Sequence, residues 1–306
     1  MFRRSVLLLG LVALLILPNA RALYEGVFFY LRDVVTYDPQ ARVPIQRAGP
    51  YASLYELVAL TNTERLAYLH RQLDAPGRRV IVIPIPDSPQ ANLFVHFDSP
   101  GPYLVFAAHY DKLYDEAAYE GASDNTAAVS VLLAAIDVLT RQGDAGARAF
   151  LFTGEEETGL RGAQAFLAYA RANALPLRGI ITFDNLGRGE LAVRALAEQV
   201  GWVFTVPLFG DWACDGRTFT VLPAYHLPNA RLTRELVRAY PRLVVYERFT
   251  ARGDANVFVA SGLDSVLVSG DHLYYLQLTW HTYADRIELL DERNLERALE
   301  LILKVR

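Results

Sequence analysis

The sequence predicts a three-layer α/β sandwich, a mixed and mostly parallel central sheet with helices on both faces. Three observations carry this. Short β-rich apolar runs alternate with segments of helical period, the pattern of a sheet covered on both sides. The 306 residues, 52% of them hydrophobic, suffice for one large core. From 23 to 306 no repeat, low-complexity linker or shift in composition marks a boundary, so these residues read as one catalytic domain.

In chain order, the first 22 residues hold Arg3, Arg4 and Arg21, no acidic residue, and an apolar run from Val6 to Leu17. A spanning helix needs ~20 apolar residues and a signal-peptide core ~7 to 15. The run therefore fits a leader over 1–22, with Ala20-Arg21-Ala22 as the small-x-small processing site. An uncleaved N-terminal anchor is the alternative, and the only reading that ties the chain to a membrane. Either exports the protein. Strands are expected at 79–85, 91–97, 103–108, 148–152, 179–183, 242–246 and 263–268, bounded by turn residues. Helices are expected at 126–140, 160–172, 229–240 and 291–305. The stretch 187–227 has no clean period and reads as an irregular excursion near the site. Its Trp202, Trp212 and Phe219, with Tyr274 and Tyr275 further on, are candidate pocket walls, the plain alternative being core.

Composition narrows the chemistry. A charged fraction of 21% and a mean hydropathy of +0.15 exclude a disordered chain. The net charge of −4 offers no footprint for nucleic acid. Losing the three leader arginines leaves 27 basic against 34 acidic residues, a formal −7. With Cys214 as the single cysteine no intrachain disulfide or cysteine-based zinc site can form, so any metal must use His and carboxylate. An exported protein with one thiol is expected to bury it.

Ligands of an open α/β sheet bind beyond the carboxyl ends of its strands, and metal-ligating residue types gather there. His109 and Asp111 follow the strand at 103–108, Glu155 and Glu156 that at 148–152, and Asp184 that at 179–183. Asp124 precedes the helix near Thr126, and His281 follows the last strand. Each has a plainer reading alone: Asp124 as an N-cap, Glu155 to Glu157 as a solvated acidic loop, His109 as a hydrogen-bonded structural histidine. Five separate segments delivering His or carboxylate to one sheet edge is the coincidence that favours a cysteine-free zinc site. A period of two puts Asp111 on the side of His109, where it can accept the spare imidazole N–H and orient the ring. Adjacent glutamates diverge, so one can bind metal while its neighbour faces the activated water.

The ordered series AAHYD, GASDNTA, GEEETGLRG, TFDNLG and WHTYADR resembles the secreted dizinc aminopeptidases, the bacterial leucyl aminopeptidase-type zinc metallopeptidases, a family that also includes the zinc glutaminyl cyclases. The match spans roughly residues 80 to 305. The resemblance implies a zinc-exopeptidase fold, two Zn2+ per chain and peptide substrates with a free N-terminus. It implies that His109 and Asp184 bind one zinc, Glu156 and His281 the other, that Asp124 bridges them, and that Glu155 is the general base. GDANVF is similar to the family's Ser-Asp-His motif with Phe three residues on; Asp254 and Phe258 match, Gly253 and Ala255 do not.

The expected activity is a zinc-dependent aminopeptidase. The alternative is a glutaminyl-peptide cyclotransferase with one zinc, which the Trp280-His281-Thr282 run and HYDK segment resemble; the short GEE loop running into GLRG, and Asn125 after Asp124, resemble the aminopeptidases instead. A catalytically inert binding module on the same fold is the third reading. It has no need to keep every ligand position filled, and here all are.

Overall fold

A computed structural model describes residues 20–305 apart from 100, 144, 199–202, 206–217, 221–223 and 227–229. Most of the expected leader, Trp202, Trp212 and Cys214 lie outside the described residues, as does the side chain of Phe219.

Strands β1 (Arg79–Pro84), β2 (Ala91–His96), β3 (Tyr103–His109), β4 (Arg148–Thr153), β5 (Leu177–Phe183), β6 (Leu191–Glu198), β9 (Ala224–His226), β10 (Val244–Ala251) and β11 (Ser265–Gly270) form one mixed sheet. Its order is β1-β2-β4-β3-β5-β11-β6-β10, with β9 on β6; β7 (Val203–Thr205) and β8 (Thr218–Thr220) pair separately. The central β4, β3, β5 and β11 are parallel, so their carboxyl ends share one edge. Antiparallel pairs flank them on both sides.

Both faces are covered, which is why β3 and β4 are buried at every residue and read as unbroken apolar runs. On one face Leu104, Phe106, Ala108, Phe150 and Phe152 pack in a core shared with α4 (Ala127–Gln142) and α9 (Glu292–Lys304). On the other, Val105, Ala107, Ala149 and Leu151 meet α5 (Arg161–Ala172) and Phe258 of α7 (Asp254–Ala260). α6 (Ala230–Ala239) completes the predicted helices.

Three expectations need correction. The excursion at 187–227 contains β6, a full strand between β11 and β10. Its apolar signal is interrupted by Arg194, which is buried because it donates to Ser269 Oγ at 2.7 Å and Gly270 O at 2.7 Å. The strand read at 242–246 begins at Val244 and continues to Ala251. Four helices were not read from periodicity: α1 (Ala20–Thr36), α2 (Ser53–Leu57), α3 (Asn62–Leu73) and α8 (Leu273–Thr279). Ala20, Arg21 and Ala22, the expected processing site, form the first turn of α1.

α3 starts with a capping box in which Thr61 accepts from Glu64 N and the Glu64 carboxylate accepts from Thr61 N. It presents Arg65, 1% exposed, which donates to Leu57 O at 3.0 Å, Tyr110 O at 3.0 Å, Glu120 O at 2.9 Å and Thr126 Oγ1 at 2.8 Å. One guanidinium thus fastens the loop after β3 to the turn before α4. Arg65→Met keeps the apolar stem and strands those acceptors, so it is expected to cost about 3 to 5 kcal/mol in chemical denaturation; a loss under ~1 kcal/mol would contradict this role.

Candidate metal centre

The parallel centre of the sheet delivers the first two groups. His109 ends β3 and Asp184 follows β5, its neighbour, with Asp184 N still donating to Val268 O at 3.0 Å. His109 Nε2 lies 3.5 Å from Asp184 Oδ1 and 3.1 Å from Asp124 Oδ1. Nδ1 faces Asp111, 3.2 Å from its carbonyl and 3.4 Å from its carboxylate. Asp111 Oδ1 and Oδ2 in turn accept from Glu156 N and Glu157 N, each at 3.2 Å. Asp111 therefore orients the imidazole and pins the glutamate loop, beyond the role expected of it.

Asp124 is no N-cap. It sits in a turn, Ala122–Thr126, at φ −115° and ψ 87°, before α4 begins at Ala127. Asp285 holds that turn, accepting from Ser123 N at 2.7 Å and Asp124 N at 3.0 Å, while Asn125 Nδ2 donates to Phe183 O at 2.9 Å. The two oxygens of Asp124 then part: Oδ1 faces His109, and Oδ2 lies 3.3 Å from His281 Nε2.

The glutamate loop corrects the sequence reading by one residue. Glu157, not Glu156, meets His281, with Oε2 3.1 Å from Nε2. Glu156 stands beside it, grouped with His109 and Glu157. Glu155, the expected base, turns away: its carboxylate binds Ser88 Oγ and Arg161, and among the described residues it belongs to none of the ligand groups. The cause is backbone geometry. β4 ends at Thr153, and Glu155 adopts a left-handed φ of 53°, so strand alternation cannot be carried past Gly154. That tight passage needs small residues. A Cβ on Gly162 would lie 2.3 Å from Gly154 O, and one on Gly154 2.7 Å from the Tyr110 hydroxyl. Asn185 and His281, at φ 57° and 56°, are also held where ordinary residues cost about 1 to 3 kcal/mol, as at functional sites.

Glu157 and Asp285 are the functional candidates that sequence reasoning missed. Three consecutive glutamates gave no internal register, and Asp285 was visible only as the last acid of WHTYADR. Of the aromatic candidates, Tyr275 is buried core, and Tyr274 packs edge-on against Tyr30 and Tyr37 at ring separations of 5.8 and 5.3 Å.

Three sets of side chains bring ligand atoms within 4.8 Å of one another: His109, Asp124 and Asp184; Asp124, Glu157 and His281; His109, Glu156 and Glu157. The first two share Asp124. Burial, and then the negative neighbours Asp254 and Asp184, raise Glu156 well above the usual carboxylate range. Burial and the Asp124 charge push Glu157 up to about 7. Burial and Asp124 raise Asp184. Burial opposes charging His109, but Glu156 and hydrogen bonds to three aspartates hold its pKa well above that of an ordinary histidine. Burial would likewise raise Asp124; hydrogen bonds with His109 and His281 outweigh it and hold Asp124 well below the usual range. Such a buried excess of acid calls for cations. Glu157 Oε1 is buried with no hydrogen-bond partner among the described residues. Two imidazoles with aspartate and glutamate oxygens are the donor set zinc accepts without cysteine, so these residues fit the metal.

The model of Peptidase family M28 matches residues 92–306, more than half of the chain and every residue of the centre. The chain belongs to Peptidase family M28. This M28 chain is thereby a peptidase-class hydrolase, and solved structures share its fold at low identity. The LapA aminopeptidase of Legionella pneumophila is 16% identical with a TM-score of 0.62, over 85% of this chain and 68% of that one. A zinc aminopeptidase from Bacillus subtilis is 20% identical, TM-score 0.51, over 70% and 49%. Bacteroides thetaiotaomicron glutaminyl cyclase is 14% identical, TM-score 0.58, over 86% and 98%. No curated protein shows significant sequence similarity to the chain.

Because ligands must lose their protons, metal uptake here competes with acid. Glu157, near 7, and His109, held above an ordinary histidine, must both lose protons: zinc affinity is expected to rise with pH through 7, and to fall below it by about tenfold per unit for each proton displaced. Calorimetric zinc titration in buffers of different ionisation enthalpy measures the protons released; a pH-independent affinity between 6 and 8 (roughly the range around that pKa) would contradict the assignment.

Proposed function

We propose that the chain is a zinc-dependent aminopeptidase that removes N-terminal residues from peptides outside the cytoplasm. The observation that carries this reading is the division of the Asp124 carboxylate, one oxygen toward His109 and the other toward His281. It supports a bridging role, with His109 and Asp184 completing one zinc site and Glu157 and His281 the other. When bound, a zinc pair supplies Lewis acidity, making water acidic near neutral pH and polarising a scissile carbonyl.

The chain's own residues do the rest. Asp111 keeps the His109 ring in register and the glutamate loop in place. Glu156, beside both groups and free of the Arg161 pairing that engages Glu155, takes a proton from the attacking water and delivers it to the departing amine. Its burial keeps that carboxylate basic. The acidic character of this edge favours a free α-ammonium group, which supports exopeptidase action. The basic and apolar N-terminus supports export.

A second reading, a glutaminyl-peptide cyclotransferase, is favoured by Trp280, whose ring lies 4.4 Å from that of His281 at a tilt of 31° and leaves 41% of the residue's surface exposed as a platform for an uncharged side chain. A single-zinc cyclase needs only one of the two groups that share Asp124.

Glu156→Gln is expected to lower kcat on aminoacyl amides by ~10²- to 10⁴-fold with zinc content unchanged, whereas Glu155→Gln should change kcat by only a few-fold. Equal loss in both, or loss confined to Glu155→Gln, would overturn the assignment. Pyroglutamate formation from N-terminal glutaminyl peptides, with no free amino acid released, would establish the second reading.

A further inference from the structure

Helix α1 is inverted relative to an ordinary surface helix. Tyr24, Val27, Phe28, Leu31, Val34 and Val35 recur at spacings of three and four and form one stripe along it. All six are exposed, from 40% at Val34 to 83% at Val35. The opposite side carries the acids: Glu25 and Asp33 are 4% and 1% exposed. Asp33 accepts from Leu273 N at 2.6 Å and Arg32 Nε at 2.7 Å, and Arg32 reaches Asp271 at 3.4 Å. Phe29 packs edge-on against Tyr246 at 5.1 Å. These contacts with β10 and the start of α8 fix the rotation of the helix, so the apolar stripe cannot roll inward without exposing a buried, hydrogen-bonded carboxylate.

A contiguous apolar stripe of this length on a folded surface marks something that covers it. The sequence indicates what. Only Pro18 and Asn19 separate α1 from the apolar run Val6–Leu17, with Arg3 and Arg4 ahead of it. Twelve apolar residues fall short of the ~20 that span a bilayer; an amphipathic helix following directly adds the interfacial area that strengthens a short anchor. We infer that α1 lies on a lipid bilayer through its Tyr24–Val35 stripe, with the preceding apolar run retained as an anchor, so that the catalytic domain works against a membrane surface. α1 also touches the site's own support: Tyr30 bonds Gln277 in α8, and α8 ends two residues before His281. This inference is independent of the reaction assigned to the centre.

The test uses the full chain with Cys214→Ser and single nitroxide-labelled cysteines at Phe28, Leu31 or Val35, and at exposed Arg71 as reference, in vesicles of phosphatidylethanolamine and phosphatidylglycerol. At 28 and 31 the accessibility to oxygen is expected to exceed that to a water-soluble nickel chelate several-fold, with the reverse order at 71. Nickel accessibility equal to that at 71 would overturn the proposal. So would shielding from both reagents, which would show that a second copy or another segment of the chain covers the stripe. An independent readout needs no variant: intact mass of the native protein in the membrane fraction should include residues 1–22, and a soluble protein lacking them would contradict a retained anchor.

Discussion

The shared carboxylate of Asp124 is the interaction around which this edge of the molecule is organised. An ionised carboxylate with 2% of its residue exposed is tolerable only if positive charge or donors meet it. Two histidines from distant segments do so. Each neighbouring group then serves to hold it there. Asp285 grips the backbone of its turn, Asn125 ties that turn to the end of β5, and Arg65 binds the carbonyls on either side of the loop between β3 and α4. The surrounding acids repel one another unless protons or cations neutralise them, so a metal held here would contribute to the stability of the site as well as to its chemistry.

Much of the centre was legible because it follows from strand polarity. His109 and Asp184 sit at the ends of parallel β3 and β5, and the apolar runs that predict those strands also predict where their carboxyl ends lie. Asp124 and His281 were legible through their motifs, although neither occupies a regular element that periodicity could place. The glutamate register was not. It depends on a left-handed turn at Glu155 and on the contact of Gly154 with Gly162, both tertiary facts. The motif resemblance, laid on three consecutive glutamates, assigns the two roles one position too early.

Two of the missed elements, β6 and α1, share one cause, polar residues buried where pattern reading expects solvent. Arg194 broke the apolar signal of β6, yet it is held by Ser269, Gly270 and the Tyr246 ring at 4.4 Å. In α1 the acids face the protein and the apolar side chains face outward, so helical period alone assigns the wrong face to the core. Inward-facing charge is uncommon for good energetic reasons; in this chain buried acids mark the metal centre and the protein-facing side of α1, and a buried arginine marks β6.

The central claim is that two cation sites share Asp124. Zinc-edge anomalous diffraction from crystals of the metal-loaded protein tests it most directly. Two peaks are predicted, one bonded to His109 and Asp184, the other to Glu157 and His281, with one oxygen of Asp124 on each and Glu155 on neither. A single peak that leaves Asp124 unshared, or a peak bonded to Glu155, would contradict the account.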